Sequence, residues 1–250
     1  IVVGGHSFRD GIDITSDQVY AWLRSSKQLP TTSAPSVGDF LRTYADASQQ
    51  ASAIVSIHLS PDLSAIFQAA MTASELVENV PVRLINSRSA AMGQGFVVLE
   101  AAREAASGAS LESVVACAQA LSSKVHLLAT IDTLEYLRRG GRIGGAATLL
   151  GTALQIKPVL CVIDGRVDLF ARPRTKSMAV RVMLDQMAKQ AEGRPVHAAV
   201  LHADVLEEAE ALRQDIRRRF NCIELYVTAL TPVMGAHTGP GVLGVAFYVD

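Results

Sequence analysis

Twice in the first half of this chain a short apolar run passes through a hydroxyl-rich turn into a segment of helical periodicity. That repetition narrows the folds open to it. Ser52-Ala-Ile-Val-Ser-Ile-His-Leu59 reads as a buried strand and Ser60-Pro-Asp-Leu-Ser64 as its turn, with a helix continuing through Ile66, Phe67, Ala70 and Met71. Val82-Arg-Leu-Ile-Asn86 repeats the strand and Met92 to Ala106 repeats the helix. Strands alternating with helices of this length predict an α/β fold with a parallel sheet covered on its faces. In such sheets ligands sit off the carboxyl ends of the strands, where these turns gather.

The flanking segments extend the pattern. Ile1-Val-Val and the stretch from Phe8 to Ile14 read as short strands, and Thr15 or Ser16 caps a helix through Val19, Trp22 and Leu23. Leu29-Pro-Thr-Thr-Ser-Ala-Pro-Ser36 is a loop dense in hydroxyls, and Ser36 caps a helix carrying Phe40, Leu41 and Tyr44. Such a loop serves a helix start. The same geometry seats an anion, because free amides, hydroxyl donors and the helix dipole point one way. Thr32 and Ser64 are therefore expected to converge, although far apart in sequence.

Leu111 to Ser123 reads as a helix linking two halves, and Val125 to Ile131 as a strand. From Glu135 the chain is basic at Arg138, Arg139 and Arg142, and turns on Gly140-Gly141 and Gly144-Gly145. It then runs through a small-residue apolar segment, Ala146 to Ile156, into a strand-like Pro158 to Ile163. This stretch is either a surface loop with a core helix, or an anion seat backed by a cavity wall. Asp164-Gly165 between two strand-like runs is a hairpin signal, so the parallel pattern gives way to antiparallel strands. A helix with Val180, Met183, Leu184 and Met187 inward follows Arg172, Arg174 and Lys176, and Val196 to Leu201 is a strand. The next helix has Glu207, Glu208 and Glu210 early and Arg217-Arg-Arg219 late, which suits its dipole. Ile223–Ala229 and Val242–Val249 close the fold as strands around the loop from Thr231 to Gly241.

Composition removes several functions. A net charge of -1 gives no electrostatic case for nucleic acid. No apolar run reaches the roughly 20 residues of a membrane helix, although transient membrane contact remains open. Cys117, Cys161 and Cys222 are widely spaced, which suits reduced thiols in a cytoplasmic protein better than a disulfide framework or a zinc site. Gly239-Pro-Gly241-Val-Leu-Gly244 matches a dinucleotide fingerprint but opens a strand rather than a helix. There is no phosphate-binding loop, no nucleophile elbow and no metal spacing among the histidines. His237 stands out, since an imidazole in a glycine-rich turn has little structural purpose. Loop hydroxyls, a loop histidine and basic turns without an evident nucleophile describe a binder better than a catalyst.

Five segments resemble the DegV family of bacterial fatty-acid-binding proteins. They are Leu29-Pro-Thr-Thr-Ser-Ala-Pro-Ser36, with Ala34 in place of the usual Gln, and Leu63-Ser-Ala-Ile-Phe-Gln-Ala-Ala70. Asn86 to Gly95, Tyr136-Leu-Arg-Arg-Gly-Gly-Arg-Ile143 and His237-Thr-Gly-Pro-Gly241 complete the set. The resemblance covers nearly the whole chain. The family usually begins with one further strand and loop, which points to a start that is missing here. The resemblance implies a two-domain α/β protein. Residues 1–124 would form a parallel-sheet domain lacking its first strand, and residues 125–250 a domain with a mixed or antiparallel sheet. A long-chain fatty acid would lie in a tunnel between them.

By the same resemblance Thr32 and Ser64 bind the carboxylate, with His237 beside it. Arg142 and Arg174 serve the head group or the docking surface of a partner fatty-acid kinase. That kinase makes an acyl phosphate used in phospholipid synthesis. No cofactor, metal or catalytic residue is implied. About 14 buried CH₂ groups are worth on the order of 10 kcal/mol, so the tunnel must be apolar. Phe67, Met92, Phe96 and Leu150 are candidate walls, together with Met71, Leu149 and Leu154; each also has a plain core reading. The carboxylate cannot be buried unpaired; two hydroxyls and helix-start amides would satisfy it, joined by an imidazolium if His237 is protonated. The rival reading is a stand-alone acyl hydrolase or phosphotransferase with His237 as general base, marked by a nucleophile within its reach. A third is a scaffolding protein whose cavity is incidental.

Overall fold

The computed structural model describes residues 1–26, 28–149 and 156–250. In chain order its elements are β1 (Val2–Val3), β2 (His6–Ser7), α1 (Ser16–Ser25), α2 (Val37–Ser48), β3 (Ile54–His58), α3 (Ile66–Ser74) and β4 (Val82–Asn86). Next come α4 (Ala91–Ala106), α5 (Leu111–Ser122), β5 (His126–Thr130), α6 (Glu135–Arg139) and a 3-10 turn over Gly144–Leu149. The rest are β6 (Val159–Ile163), β7 (Arg166–Ala171), α7 (Lys176–Ala191), β8 (Val196–His202), α8 (Leu206–Arg219), β9 (Cys222–Ala229), α9 (Pro232–Thr238) and β10 (Leu243–Val249).

The helix starts follow local chemistry. Thr15 and Gln18 form a reciprocal capping box at α1, and Ser36 and Asp39 do the same at α2. Each pair satisfies amides that a helix start leaves without carbonyl partners. On α8 the first turn carries Glu207 and Glu208 and the last carries Arg217, Arg218 and Arg219, each sign facing the opposite end of the dipole.

The chain forms two compact units. One comprises Ile1–Ser33, His126–Val162 and Val167–Asp250; the other comprises Ala34–Val125 and Ile163–Arg166. Residues 1–33 thus group with the second half of the chain, a partition different from an uninterrupted 1–124 domain. The stretch from Phe8 to Ile14 is not a strand. It is a turn, held by a bridge between Asp10 and Ile14 and by Arg9, whose Nε and Nη2 donate to the Asp13 carboxylate.

The first unit is built on a six-stranded sheet in the order β7-β6-β5-β10-β8-β9. β10 runs antiparallel to β5, from Leu243↔Thr130 to Phe247↔His126, and antiparallel to β8 on its other side. β8 and β9 are parallel, so the sheet is mixed. Six of the seven β10 residues are buried, which is why this strand reads as a continuous apolar run and not as an alternation. Met183, Leu184 and Met187 of α7 and Leu212 and Ile216 of α8 form one core with Val200, Val245 and Phe247 of the sheet.

The second unit holds the parallel pair β3–β4, in register from Ile54↔Val82 to His58↔Asn86. α4 buries Phe96, Val97 and Ala101, and α5 buries Val114, Ala118 and Leu121. Gln94 of α4 donates to the Ile57 carbonyl at 3.0 Å, which ties the helix to β3. The expected hairpin turn is present. Asp164 (φ 50°) and Gly165 (φ 83°) have the left-handed backbone of a two-residue turn.

Phe247 is fully buried at the centre of the larger sheet and stacks on His126 with ring centroids 4.9 Å apart. Phe247→Ala is expected to destabilise the protein by roughly 3–5 kcal/mol, read as a lower midpoint in denaturant unfolding. A change below about 1 kcal/mol would contradict its place in the core.

Candidate functional site

Three of the sequence-selected residues meet in the first unit. The backbone of Val2 pairs with Thr31, with N–H to carbonyl distances of 2.8 and 3.1 Å, and this pairing fixes the loop that carries Thr32. Thr32 Oγ1 lies 2.7 Å from His237 Nε2. His237 is not on a loop, as its glycine-rich surroundings suggest, but in the last turn of the short helix α9. That helix starts with Thr231, whose side chain accepts from the Met234 amide, followed by Pro232 at its first position. Thr-Pro is a helix-start signature, so the sequence did carry the signal.

The basic turn faces the same imidazole. A Cβ on Gly140 would lie 2.5 Å from His237 Nδ1, so only glycine admits the ring at that distance. One turn on, Gly239 (φ 75°) lies against the Tyr136 ring, where a Cβ would come within 2.2 Å. The segments Tyr136–Ile143 and His237–Gly241 are therefore one interlocked structure. Their glycines are spaces for each other's side chains. Arg142 Nη1 donates to the Gly140 carbonyl at 2.5 Å, which closes the turn.

Burial lowers the pKa of His237, and the positive charge of Arg142 lowers it further. The ring is therefore neutral near pH 7. Two proton placements fit the pair. Thr32 donates to a bare Nε2, or Nε2–H donates to Thr32 and frees the hydroxyl proton for a third group.

Ser64 belongs to the second unit. It precedes α3, and its Oγ accepts from the Ile66 amide at 3.3 Å. Arg174 is exposed in the connection between β7 and α7, with no ion pair among the described residues. Phe96 is fully buried in α4, while Phe67 and Met92 are half-buried in α3 and α4. Leu150 and Leu154 lie outside the described residues. Leu149 closes a 3-10 turn and is buried. The apolar segment from Ala146 thus opens within that 3-10 turn, and its residues 150–155 lie outside the described residues. His58, which the sequence places simply within a strand, lies beside Phe40, Ser56 and Phe67.

Arg142 disfavours protonation of His237, so its removal has a definite sign. An NMR titration of the His237 ring should give a midpoint below about 6.5, and Arg142→Ala should raise it. An unchanged or lower midpoint in the variant would show that the guanidinium does not act on this imidazole.

The sequence model described as an uncharacterised protein of the DegV family matches residues 1–250. The DegV domain-containing protein SCO2569 of Streptomyces coelicolor is 37% identical over 247 residues, which is 98% of this chain and 87% of that protein. A fatty-acid-binding DegV family protein from Thermus thermophilus is 35% identical with a TM-score of 0.94, covering 99% of this chain and 89% of the other. DegV from Bacillus subtilis, described as a fatty acid binding protein, is 29% identical with a TM-score of 0.90, at 99% and 88% coverage. With the family match spanning every residue and two of its motifs interlocked at Gly140 and Gly239, the chain belongs to the DegV family.

Proposed function

We propose that this protein binds a long-chain fatty acid and presents its carboxylate to a partner fatty-acid kinase. The observation that carries the reading is the Thr32–His237 contact at 2.7 Å, in a chain whose similar structures include two described as fatty acid binding. A carboxylate accepts hydrogen bonds only. It therefore selects the arrangement in which His237 Nε2–H donates to Thr32 Oγ1 and the Thr32 hydroxyl proton points at the anion. The neutral ring positions the hydroxyl and supplies no charge. Ser64 is proposed as a second donor on the resemblance alone. Phe67, Met92 and Phe96 are proposed as apolar walls, and Leu150 on the sequence alone. Arg142 and Arg174 are proposed for the head group or kinase docking. No cofactor enters the proposal.

The same contact supports a second reading, since a hydroxyl within hydrogen-bond reach of an imidazole is the start of a nucleophile–base pair. Two features weigh against it. The far nitrogen, Nδ1, faces the Gly140 backbone and not an orienting carboxylate, and Arg142 weakens the ring as a base. Incubation of the protein alone with acyl esters and acyl phosphates decides between the two. Turnover abolished by Thr32→Val or His237→Ala would install the enzyme.

Gas chromatography of a denatured extract is expected to show about one fatty acid per protein. An apo protein that also takes up no added fatty acid would refute the binding reading. Thr32→Val and Ser64→Ala remove charge-assisted hydrogen bonds worth roughly 1.5–3 kcal/mol, so each should weaken binding about tenfold to a hundredfold. With His237 neutral, affinity should stay flat above about pH 6.5. Arg174→Ala should reduce kinase-dependent acyl phosphate formation more than it reduces fatty-acid binding. Equal losses in both assays would place Arg174 at the ligand instead.

A further inference from the structure

A second polar group with an oriented donor lies in the unit formed by residues 34–125. Side chains alternate along β3, so Ser56 and His58 share a face. Tyr44 of α2 reaches that face. Its hydroxyl lies 2.8 Å from Ser56 Oγ, and Ser56 Oγ lies 2.6 Å from His58 Nε2. The Phe40 and Phe67 rings each stand nearly perpendicular to the His58 imidazole, with centroids 5.3 and 6.4 Å from it.

The protons in this chain have one economical order. Tyr44 is 3% exposed, and among the described residues its hydroxyl has Ser56 as its one partner. If Ser56 donated to Tyr44, the buried phenol proton would lack an acceptor, which is unfavourable. Tyr44 therefore donates to Ser56, and Ser56 donates to His58 Nε2. Burial raises the Tyr44 pKa and lowers that of His58, so the phenol keeps its proton and the imidazole is neutral. With Nε2 bare, the single ring proton sits on Nδ1. That N–H has no protein acceptor among the described residues. Among the described residues the buried side-chain atoms without a partner are Tyr20 Oη and His202 Nδ1, and His58 Nδ1 does not belong to them.

The position is one where ligands gather. His58 ends a parallel strand, Phe40 and Phe67 lie in the first turns of α2 and α3, and Ser64 lies in the turn that follows β3. Resting on the fatty-acid reading above, we propose that His58 is a further ligand contact, donating its Nδ1–H to an oxygen of the bound acyl ligand. Tyr44 and Ser56 are positioning residues that fix the tautomer. The acceptor oxygen has two possible sources, the head-group carboxylate or a hydroxyl or oxo group borne on the chain. A site that presents a fixed donor discriminates against ligands that leave it unpaired.

Stearic acid and a mid-chain hydroxystearic acid, titrated into the wild type and His58→Phe, test the proposal. A loss of roughly tenfold or more for both ligands identifies the carboxylate as the acceptor. A loss confined to the hydroxy acid identifies the chain oxygen. Unchanged affinity for both overturns the proposal and leaves the fatty-acid reading standing. A wild type that binds neither ligand overturns both. ¹⁵N NMR of the His58 ring gives an independent readout, with Nδ1 expected to be protonated and Nε2 bare; the reverse pattern defeats the proton order. Should His58→Phe fail to fold, Tyr44→Phe carries the test. It keeps the imidazole but frees its tautomer, and should give mixed ¹⁵N signals with part of the affinity lost.

Discussion

The site depends on how closely two chain reversals approach each other. At Gly140 the backbone comes so near His237 that a methyl group would sit 2.5 Å from Nδ1, and at Gly239 it lies against the face of Tyr136. This interlock sets the height and tilt of the imidazole, which in turn sets where the Thr32 hydroxyl can aim. It also excludes a carboxylate from the position behind Nδ1, where a catalytic histidine needs one. The same packing that places a donor on an anion thus keeps the pair from becoming a strong base. Arg142 adds to this by holding the ring neutral.

Polar chemistry in the other unit follows a related principle. His58 and His237 are each neutral and each engage a hydroxyl through Nε2, at 2.6 and 2.7 Å. They differ in what lies on the far side of that hydroxyl. Ser56 accepts a hydrogen bond from Tyr44, whereas no third protein group bonds the Thr32 hydroxyl among the described residues. One arrangement points the imidazole N–H outward, and the other leaves the hydroxyl proton for a ligand.

Much of this was legible in the sequence where the determinants are local. The Asp164-Gly165 turn, the cap at Ser36, the cap at Thr15 (one of two candidates, with Ser16) and the charge order on α8 depend on neighbours within a few residues, which is why the sequence carries them. The helix α9 was missed because seven residues containing Met-Gly-Ala-His give no clear periodicity, although Thr231-Pro232 announced its start. The grouping of residues 1–33 with the second half was hidden because it rests on pairings distant in sequence, such as Ser16 with Leu230. The charge state of His237 was unreadable for a similar reason, since it follows from burial and an arginine 95 positions away in the chain. His58 looked like strand interior because nothing in a five-residue run reveals that helices on its face would bring a tyrosine and two phenylalanines to it.

The order of the larger sheet has a consequence for how it comes into being. β7, β6 and β5 form one ribbon and β8 and β9 another, and β10 alone joins them. Yet β10 follows all five of those strands in the chain. During synthesis neither ribbon can close its open edge until residues 243–249 have left the ribosome. Until then β5 and β8 each expose unpaired backbone and an apolar face. Such edges invite pairing with other nascent chains, so aggregation in the cell should respond to how quickly this closing strand is delivered.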